Sequence, residues 1–456
     1  MKEFSFNRDT MIGIRDSFYS AFMNSSRISE KLFDTFSEAY SVYVRTILEG
    51  NNIAKDLPEL ENVVRSKIRD VFDSRFREEG FVSTLSSTVA SYSELAKITA
   101  FGQAYQDFSN FWARWNNNFI EPIRDTLFRT PSQKVCQLGK YSLFHYKRIT
   151  STSVTSDSDK TTTTTTNLTP ILIVYAFINR HYILDLVPEV SVVRNLLKQG
   201  FDIFATDWGT PSAYDKDLTI GHFVNSYMDK SVDLIRETTK SDKVSLFGYC
   251  WGGDLVLIYA ALHPEKVKNV ITVATPGDFS LDNTLLSVWT KSAKVDNLLD
   301  AFGNAPSTFL NAAFALRNPI ENIHKYPHFF EQPHSLESTL EFLATETWLY
   351  DSPPVIGEIY REFVKYCYQQ NLFIKNQMRV DANVVDLRTI TAPFLNVVAQ
   401  KDDLVALASS NALNDVVGSK DKSIIEFPSG HVGLIMSQHA HKEVWPRVGN
   451  WLKDRP

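Results

Sequence analysis

A single cysteine between closely spaced glycines constrains this chain more than any other feature. Cys250 lies in the sequence Gly-Tyr-Cys-Trp-Gly-Gly (residues 248–253), after the apolar run 244–247 and before the apolar run 254–262. This order predicts a strand, a sharp turn and a helix, because glycines two positions either side of the central residue leave room for a strained turn. The alternative is a buried structural cysteine beside a tight turn, which would leave the glycines without a purpose.

The predicted turn gives Cys250 the setting of a nucleophile. At the start of a helix, its thiolate would be stabilised by the positive end of the helix dipole. The backbone N–H of Trp251 would point at the oxygen on which charge develops during acyl transfer. A second N–H of this kind comes from the loop after an early strand, and Ile178 in the loop 176–180 is our candidate.

Two later loops supply the partners that such a nucleophile requires. Asp402 follows the strand candidate 393–399, and His431 lies in a glycine-flanked loop after the strand candidate 424–427. A histidine there can accept the proton of a nucleophile, and a buried carboxylate can orient its ring. The alternatives are a structural histidine and a carboxylate, Asp402 or Asp403, that only forms a turn.

Downstream of residue 170, apolar runs typical of strands alternate with segments typical of helices. The strand candidates are the runs 171–175, 201–205, 244–247, 269–274, 393–399 and 424–427, and the last helix candidate is 438–452. This alternation predicts a mostly parallel sheet with helices on both faces. Together with the turn at Cys250, it predicts an α/β-hydrolase fold over residues 131–456.

Three further segments have a character of their own. Residues 1–130 carry apolar residues at steps of three and four, which predicts a helical N-terminal domain. An aromatic stripe at 101–119 either packs onto the protein's own core or forms a docking face for a second subunit or for an apolar surface. The threonine-rich stretch 150–169 predicts a mobile surface loop.

Residues from about 278 to 390 are rich in asparagine, proline and aromatic residues, and we interpret them as a helical cap inserted over the sheet.

The composition argues against several functions. A net charge of −6 from 47 basic and 53 acidic residues gives no basic surface for a polyanion, so we expect no nucleic-acid partner. Three scattered cysteines, Cys136, Cys250 and Cys367, argue against a disulfide framework and for a cytosolic protein. The longest apolar runs, such as 171–178, are too short to span a bilayer.

The motifs, taken in order, resemble those of the polyhydroxyalkanoate synthases, specifically the catalytic subunit of the class III or the closely related class IV enzymes. The resemblance runs from about residue 131 to the C-terminus. Besides the box around Cys250, the motifs that carry it include Thr206-Asp-Trp-Gly209, Val385-Asp-Leu-Arg388, Lys401-Asp-Asp-Leu-Val405 and Gly430-His-Val-Gly433.

The resemblance implies a role for each site residue. It makes Cys250 the acyl-carrying nucleophile, His431 the general base, Asp402 its carboxylate partner, and Ile178 and Trp251 the oxyanion donors through their backbone N–H groups. No metal and no cofactor is implied, because the coenzyme A thioester is itself the substrate.

Two features depart from the family pattern. Asp403 stands where the family often has histidine, which leaves the choice between the two neighbouring aspartates open. Residues 1–130 exceed the compact class III catalytic subunit. Class III enzymes require a second, helical subunit, and the extension either replaces that subunit or docks it.

The function implied is polymerisation of 3-hydroxyacyl-CoA, with short chains such as 3-hydroxybutyryl-CoA, into a polyester with release of CoA. The implied partners are a second copy of the chain, a helical accessory subunit of the PhaE type, or both, and the implied location is cytoplasmic, at the surface of polyester granules. Two alternatives remain: a cysteine hydrolase of the dienelactone hydrolase or thioesterase type, and a noncatalytic scaffold on the same fold.

Overall fold

The computed structural model describes residues 130–146, 168–317 and 341–456, except 343, 347 and 350. The predicted helical N-terminal domain and nearly all of the threonine-rich stretch lie outside these residues. The described residues fall into two units, which we treat separately. One unit comprises Phe128–Ser307 and Ser352–Pro456 and carries the sheet, and the other includes the described part of Thr308–Asp351.

Ten strands are described, and eight of them form one sheet in the order β1-β2-β4-β3-β5-β6-β9-β10. Their bounds are β1 Ser132–Leu138, β2 Tyr141–Tyr146, β3 Ile171–Val174, β4 Ile203–Asp207, β5 Val244–Tyr249, β6 Val267–Val273, β7 Arg379–Val380, β8 Asn383–Val384, β9 Phe394–Ala399 and β10 Lys422–Phe427. Strand β2 pairs antiparallel with β1 and with β4, and the other pairs of the large sheet are parallel. Strands β7 and β8 form a separate two-stranded hairpin.

The α-helices alternate with the parallel strands, and two π-helical segments continue or interrupt them. The α-helices are α1 Val192–Lys198, α2 Ile220–His222, α3 Asp229–Thr239, α4 Trp251–Leu262, α5 Leu285–Ser292, α6 Val295–Phe302, α7 Ser307–Arg317, α8 Gly357–Phe363, α9 Leu407–Val416, α10 Gly433–Met436 and α11 Gln438–Lys453. The π-helical segments are Phe223–Met228, between α2 and α3, and Val364–Gln369, after α8.

This architecture confirms the predicted α/β-hydrolase fold, and the large sheet is mixed, with parallel pairs throughout except where β2 pairs with β1 and β4. Each predicted strand is present, and the last helix, α11, begins at the predicted residue. Between β6 and β9, in the region interpreted as a cap, the described residues form helices α5 to α8 and the β7–β8 hairpin. That this region covers the sheet as a cap stays a prediction.

The sheet brings the loops after β3, β5, β9 and β10 to one edge. Strand β5 is buried along its whole length between β3 and β6, and Gly248 of β5 pairs with Val174 at the end of β3. Strands β9 and β10 end together at Ala399 and Phe427. Because the carboxyl ends of parallel strands share an edge, the loops after them converge there. Within the described part of the chain, no helix is long and apolar enough to cross a membrane.

Candidate active site

Cys250 occupies the sharp turn between β5 and α4. Its backbone has φ 55° and ψ −130°, a conformation that residues other than glycine rarely adopt. Its N–H donates to the carbonyl of Val273 in β6 over 2.8 Å, and its own carbonyl accepts from the N–H of Gly253 over 2.8 Å. These bonds hold the strained turn and leave the thiol half-buried at the carboxyl edge of the sheet.

The glycines around Cys250 are required by close contacts. A Cβ on Gly248 would lie 2.4 Å from the carbonyl oxygen of Gly252, and a Cβ on Gly252 would lie 2.2 Å from the carbonyl oxygen of Val174. A Cβ on Gly253 would lie 1.8 Å from Oγ1 of Thr275. All three distances are shorter than any real contact, so strand, turn and helix approach one another only because these residues lack side chains.

Asp402 and His431 form a buried pair after β9 and β10. Oδ2 of Asp402 lies 2.7 Å from Nδ1 of His431, and the two side chains are 2% and 6% exposed. Oδ1 of Asp402 accepts from the N–H groups of Leu404 and Val405 over 2.8 and 3.0 Å, which fixes the carboxylate. Asp403, which the sequence left as an alternative, is an exposed residue. The structure therefore brings Asp402 to the histidine.

The charges around His431 favour its protonated form. Burial alone would lower the pKa of His431, but the negative charges of Asp402 and of a Cys250 thiolate outweigh burial and raise it to about 10. Hydrogen bonds of the ring to both side chains act in the same direction. Cys250, His431 and Asp402 thus meet in one cluster, in which the protonated imidazole of His431 lies between the side chains of Cys250 and Asp402.

The two backbone N–H groups predicted to form an oxyanion hole lie at the start of α4 and in the loop after β3. Trp251 is the first residue of α4, and the N–H groups of a first helical turn have no partner within the helix. Ile178 lies in the loop after β3, the neighbour of β5. In that loop, Asn179 has a left-handed φ of 63° and accepts a hydrogen bond from the hydroxyl of Ser352 over 2.6 Å. The oxyanion role of Trp251 and Ile178 stays a prediction.

Aromatic rings that the sequence analysis did not assign to the site surround Trp251. Its indole stacks on Phe363 at a centroid distance of 3.6 Å and meets Phe177 edge-on at 5.3 Å. Phe363 in turn contacts Phe279 and Tyr368. These residues come from four different segments, so no local sequence pattern could have grouped them. They form an apolar wall beside the start of α4.

Asp254 was also missed, although the sequence carries a signal for it. It is the one charged residue in the apolar run 254–262, and it lies in the first turns of α4 with 1% exposure.

The other two cysteines differ from Cys250 in setting: Cys136 lies in edge strand β1, and burial raises the pKa of Cys367 well above the ordinary value. Among the described residues, no three histidine, cysteine, aspartate or glutamate side chains converge as a metal site requires.

Comparison with known proteins yields one family and several relatives. The family described as the alpha/beta hydrolase fold matches residues 169–437. The protein named "Poly(3-hydroxyalkanoate) polymerase subunit PhaC" from Allochromatium vinosum is 40% identical over 327 residues, which are 72% of this chain and 89% of that protein. Proteins of the same name from Haloferax mediterranei and Synechocystis are 39% and 36% identical, again over 72% of this chain. The matches span 64% of the first and 85% of the second.

Adding one methyl group to the turn tests the close contacts. We expect Gly252→Ala to destabilise the protein by about 2–3 kcal/mol and to remove activity, because its Cβ cannot fit beside the carbonyl of Val174. Gly430→Ala is the control, since its Cβ would meet nothing closer than 3.5 Å. Thermal unfolding of both variants checks this. Equal midpoints for the two variants would contradict the requirement for glycine at position 252.

The charge on His431 gives stability a measurable pH dependence. Its pKa is raised from 6.5 to about 10 on folding, so its contribution is complete below about pH 6.5 and is lost as the pH rises through about 10. We expect the difference in thermal midpoint between wild type and His431→Gln to shrink between pH 6.5 and pH 10.

His441→Gln is the matched control for this measurement. His441 is also buried, but burial lowers its pKa, so its contribution is lost as the pH falls and not as it rises. If the His431→Gln difference stayed constant over the same pH range, the imidazolium assignment would be wrong.

Proposed function

The chain belongs to the family of the poly(3-hydroxyalkanoate) polymerase subunits PhaC, and from this premise we propose that Cys250, His431 and Asp402 carry out its acyl transfer through an acyl-cysteine. As a member of this family it is a polyhydroxyalkanoate synthase, an acyltransferase that takes acyl-CoA as its substrate. The observation that carries the proposal is the cluster itself: a cysteine on a strained turn, hydrogen-bonded to a histidine that is paired with a buried aspartate.

The first step is acylation of the enzyme. The thiolate of Cys250 attacks the carbonyl carbon of the CoA thioester, the bond from that carbon to the CoA sulfur breaks, and CoA takes a proton from the imidazolium of His431. One thioester replaces another, so the step changes little in bond energy. The N–H groups of Trp251 and Ile178 stabilise the oxyanion of the tetrahedral intermediate.

The second step is elongation. The hydroxyl of another hydroxyacyl unit attacks the acyl-cysteine carbonyl, His431 accepts the hydroxyl proton, and the thiolate of Cys250 leaves as an ester bond forms. Acylation has by then removed the thiolate charge that helps to raise the pKa of His431. The imidazole is therefore more often neutral in the acyl-enzyme, where a base is required, than in the free enzyme, where an acid is required.

Water competes with the hydroxyl for the acyl-cysteine. The aromatic wall of Trp251, Phe363, Phe279 and Tyr368 beside the nucleophile disfavours water and suits an apolar polyester. This observation favours polymerisation over the alternative activity, hydrolysis by a cysteine hydrolase of the dienelactone hydrolase or thioesterase type. We propose short-chain 3-hydroxyacyl-CoA as the substrate, with the growing polyester held at the surface of a granule.

The partner remains part of the proposal. We propose that the chain works as a homodimer, with a helical accessory subunit of the PhaE type, or both, with residues 1–130 as the segment that serves assembly. Their aromatic stripe at 101–119 and the absence of a nucleophile and base pattern in their sequence support this role.

The decisive experiment supplies 3-hydroxybutyryl-CoA to the purified chain, alone and with a candidate helical subunit, and measures CoA release and insoluble polyester. We expect one molecule of CoA to be released for each hydroxyacyl unit that enters the insoluble polyester. CoA release accompanied by free 3-hydroxybutyrate, with no polymer under either condition, would instead establish the hydrolase.

Replacing the nucleophile tests the acyl-cysteine. Cys250→Ser should fold normally but polymerise at least about 100-fold more slowly, because a hydroxyl must lose its proton during attack and its acyl adduct is a less reactive oxoester. Cys250→Ala should form no covalent acyl-enzyme. Mass spectrometry after incubation with a hydroxyacyl-CoA locates the adduct. An adduct on Cys136 or Cys367 would overturn the assignment.

The two neighbouring aspartates offer a matched pair of variants. Asp402→Asn should lower kcat/KM by at least about 100-fold, because the carboxylate that orients His431 and stabilises its charge is lost. Asp403→Asn, at an exposed position, should stay within about threefold of wild type. Steady-state CoA release measures both. A larger loss at 403 than at 402 in folded protein would reverse the assignment.

A further inference from the structure

One buried carboxyl group near the nucleophile has no task in the mechanism above. Asp254 lies four residues after Cys250 in α4 and is 1% exposed. Neither of its carboxyl oxygens is hydrogen-bonded to another described residue. Buried polar groups are nearly always hydrogen-bonded, so a carboxyl with two unpartnered oxygens requires an explanation.

The groups around Asp254 keep it neutral. Burial, and after it the negative charge of a Cys250 thiolate, raises the pKa of Asp254 well above the ordinary value. On the side of the π-helical segment, Cys367 and Tyr368 lie close enough to interact electrostatically with Asp254, and neither brings a positive charge. Asp254 is therefore a carboxylic acid that offers one O–H donor and one carbonyl acceptor.

This arrangement lowers stability. A buried polar group without a partner is less favourable than an apolar side chain of similar size, because its desolvation is not compensated. Stability therefore does not explain the presence of an acid at this position. Residues that reduce stability in this way are characteristic of functional sites. The π-helical segment that carries Cys367 and Tyr368 is another feature often found at such sites.

The acyl group on Cys250 places a polar atom within reach of Asp254. In a 3-hydroxyacyl-cysteine, the hydroxyl is attached to the third carbon from Sγ, and bonds of about 1.5 Å put its oxygen roughly 4–5 Å from the sulfur. Cys250 directly precedes α4, and its thiolate lies close enough to Asp254 to raise the pKa of that carboxyl. The carboxyl of Asp254 and the 3-hydroxyl of an acyl group on Cys250 thus both lie in the neighbourhood of the sulfur.

We propose that Asp254, as a neutral acid, hydrogen-bonds the 3-hydroxyl of the acyl group that is transferred to Cys250. It thereby positions 3-hydroxyacyl units and discriminates against acyl groups that lack the hydroxyl. This role rests on the proposed function of Cys250 as the acyl carrier, and it makes Asp254 a residue that determines substrate specificity. An acyl group without a 3-hydroxyl leaves both oxygens of Asp254 buried and unpartnered, which penalises it.

The test compares 3-hydroxybutyryl-CoA with butyryl-CoA, which differ only in that hydroxyl. The rate of first-turnover CoA release and the mass of the acyl-enzyme are measured with the full chain at several substrate concentrations. In wild type we expect the hydroxylated substrate to acylate Cys250 at least about 10-fold more efficiently. Asp254→Val should abolish this preference and should leave acylation by butyryl-CoA equal or faster.

Two further variants separate specificity from structure. Asp254→Asn keeps a neutral donor and acceptor, so it should retain the preference within about threefold. Cys367→Ala changes the packing beside Asp254 without changing charge, and it should keep the wild-type preference even if the protein melts at a lower temperature. Asp254→Val should melt at the same temperature as wild type or higher, because it removes an uncompensated polar group.

Several results would overturn the proposal. The first is a wild-type protein that acylates Cys250 equally well with 3-hydroxybutyryl-CoA and butyryl-CoA. The second is an Asp254→Val protein that keeps the preference for the hydroxylated substrate. The third is an Asp254→Val protein that melts at a lower temperature and loses activity equally towards both substrates. A loss in Asp254→Asn as large as in Asp254→Val would show that Asp254 acts in its ionised form, which also contradicts the proposal. Failure of the proposed function is distinguishable, because Cys250 would then carry no adduct from either substrate.

Discussion

The close approach of three backbone segments around Cys250 is the constraint on which the rest of the site depends. Strand β3, strand β5 and helix α4 meet at distances that exclude a Cβ on Gly248 and Gly252. Only this contact allows Cys250 to sit at the carboxyl edge of the sheet with a positive φ, held by a hydrogen bond to β6. The thiol then faces the loops after β9 and β10, which carry Asp402 and His431.

The second principle of the site is the distribution of charge. His431 lies between Asp402 and Cys250, and the negative charges of these two groups raise the pKa of His431 and favour its acid form. In the proposed mechanism, acylation removes the charge of Cys250, which shifts His431 towards the neutral form that a base requires. Asp254 adds no third negative charge, because burial keeps it protonated beside the thiolate. Acid and base functions can therefore alternate on one side chain without a change of structure.

Polymerisation requires that a hydroxyl, rather than water, reaches the acyl-cysteine. In our proposal, the aromatic wall around Trp251 and the nearly complete burial of His431 and Asp402 limit the access of water to the reacting atoms. In our proposal, Asp254 adds a positive selection for hydroxylated acyl groups to this exclusion of water. In this proposal, the aromatic wall protects the acyl-cysteine, and Asp254 selects a substrate that carries its own nucleophile.

The sequence by itself determined what depends on local pattern: the strand, turn and helix around Cys250, the alternation of strands and helices, and the loop that carries His431. Turn chemistry and apolar periodicity are properties of neighbouring residues, so a single sequence reveals them. Only the tertiary structure selected Asp402 over Asp403, because adjacent residues share a loop and differ in the direction of their side chains. The tertiary structure also shows that residue 253 must be glycine, because Thr275 occupies the space of a Cβ there. It likewise places Asp254 close to Cys367. Such contacts join residues far apart in the chain. Burial keeps Asp254 neutral and the nearby negative charges keep His431 protonated, and both environments exist only once the chain has folded.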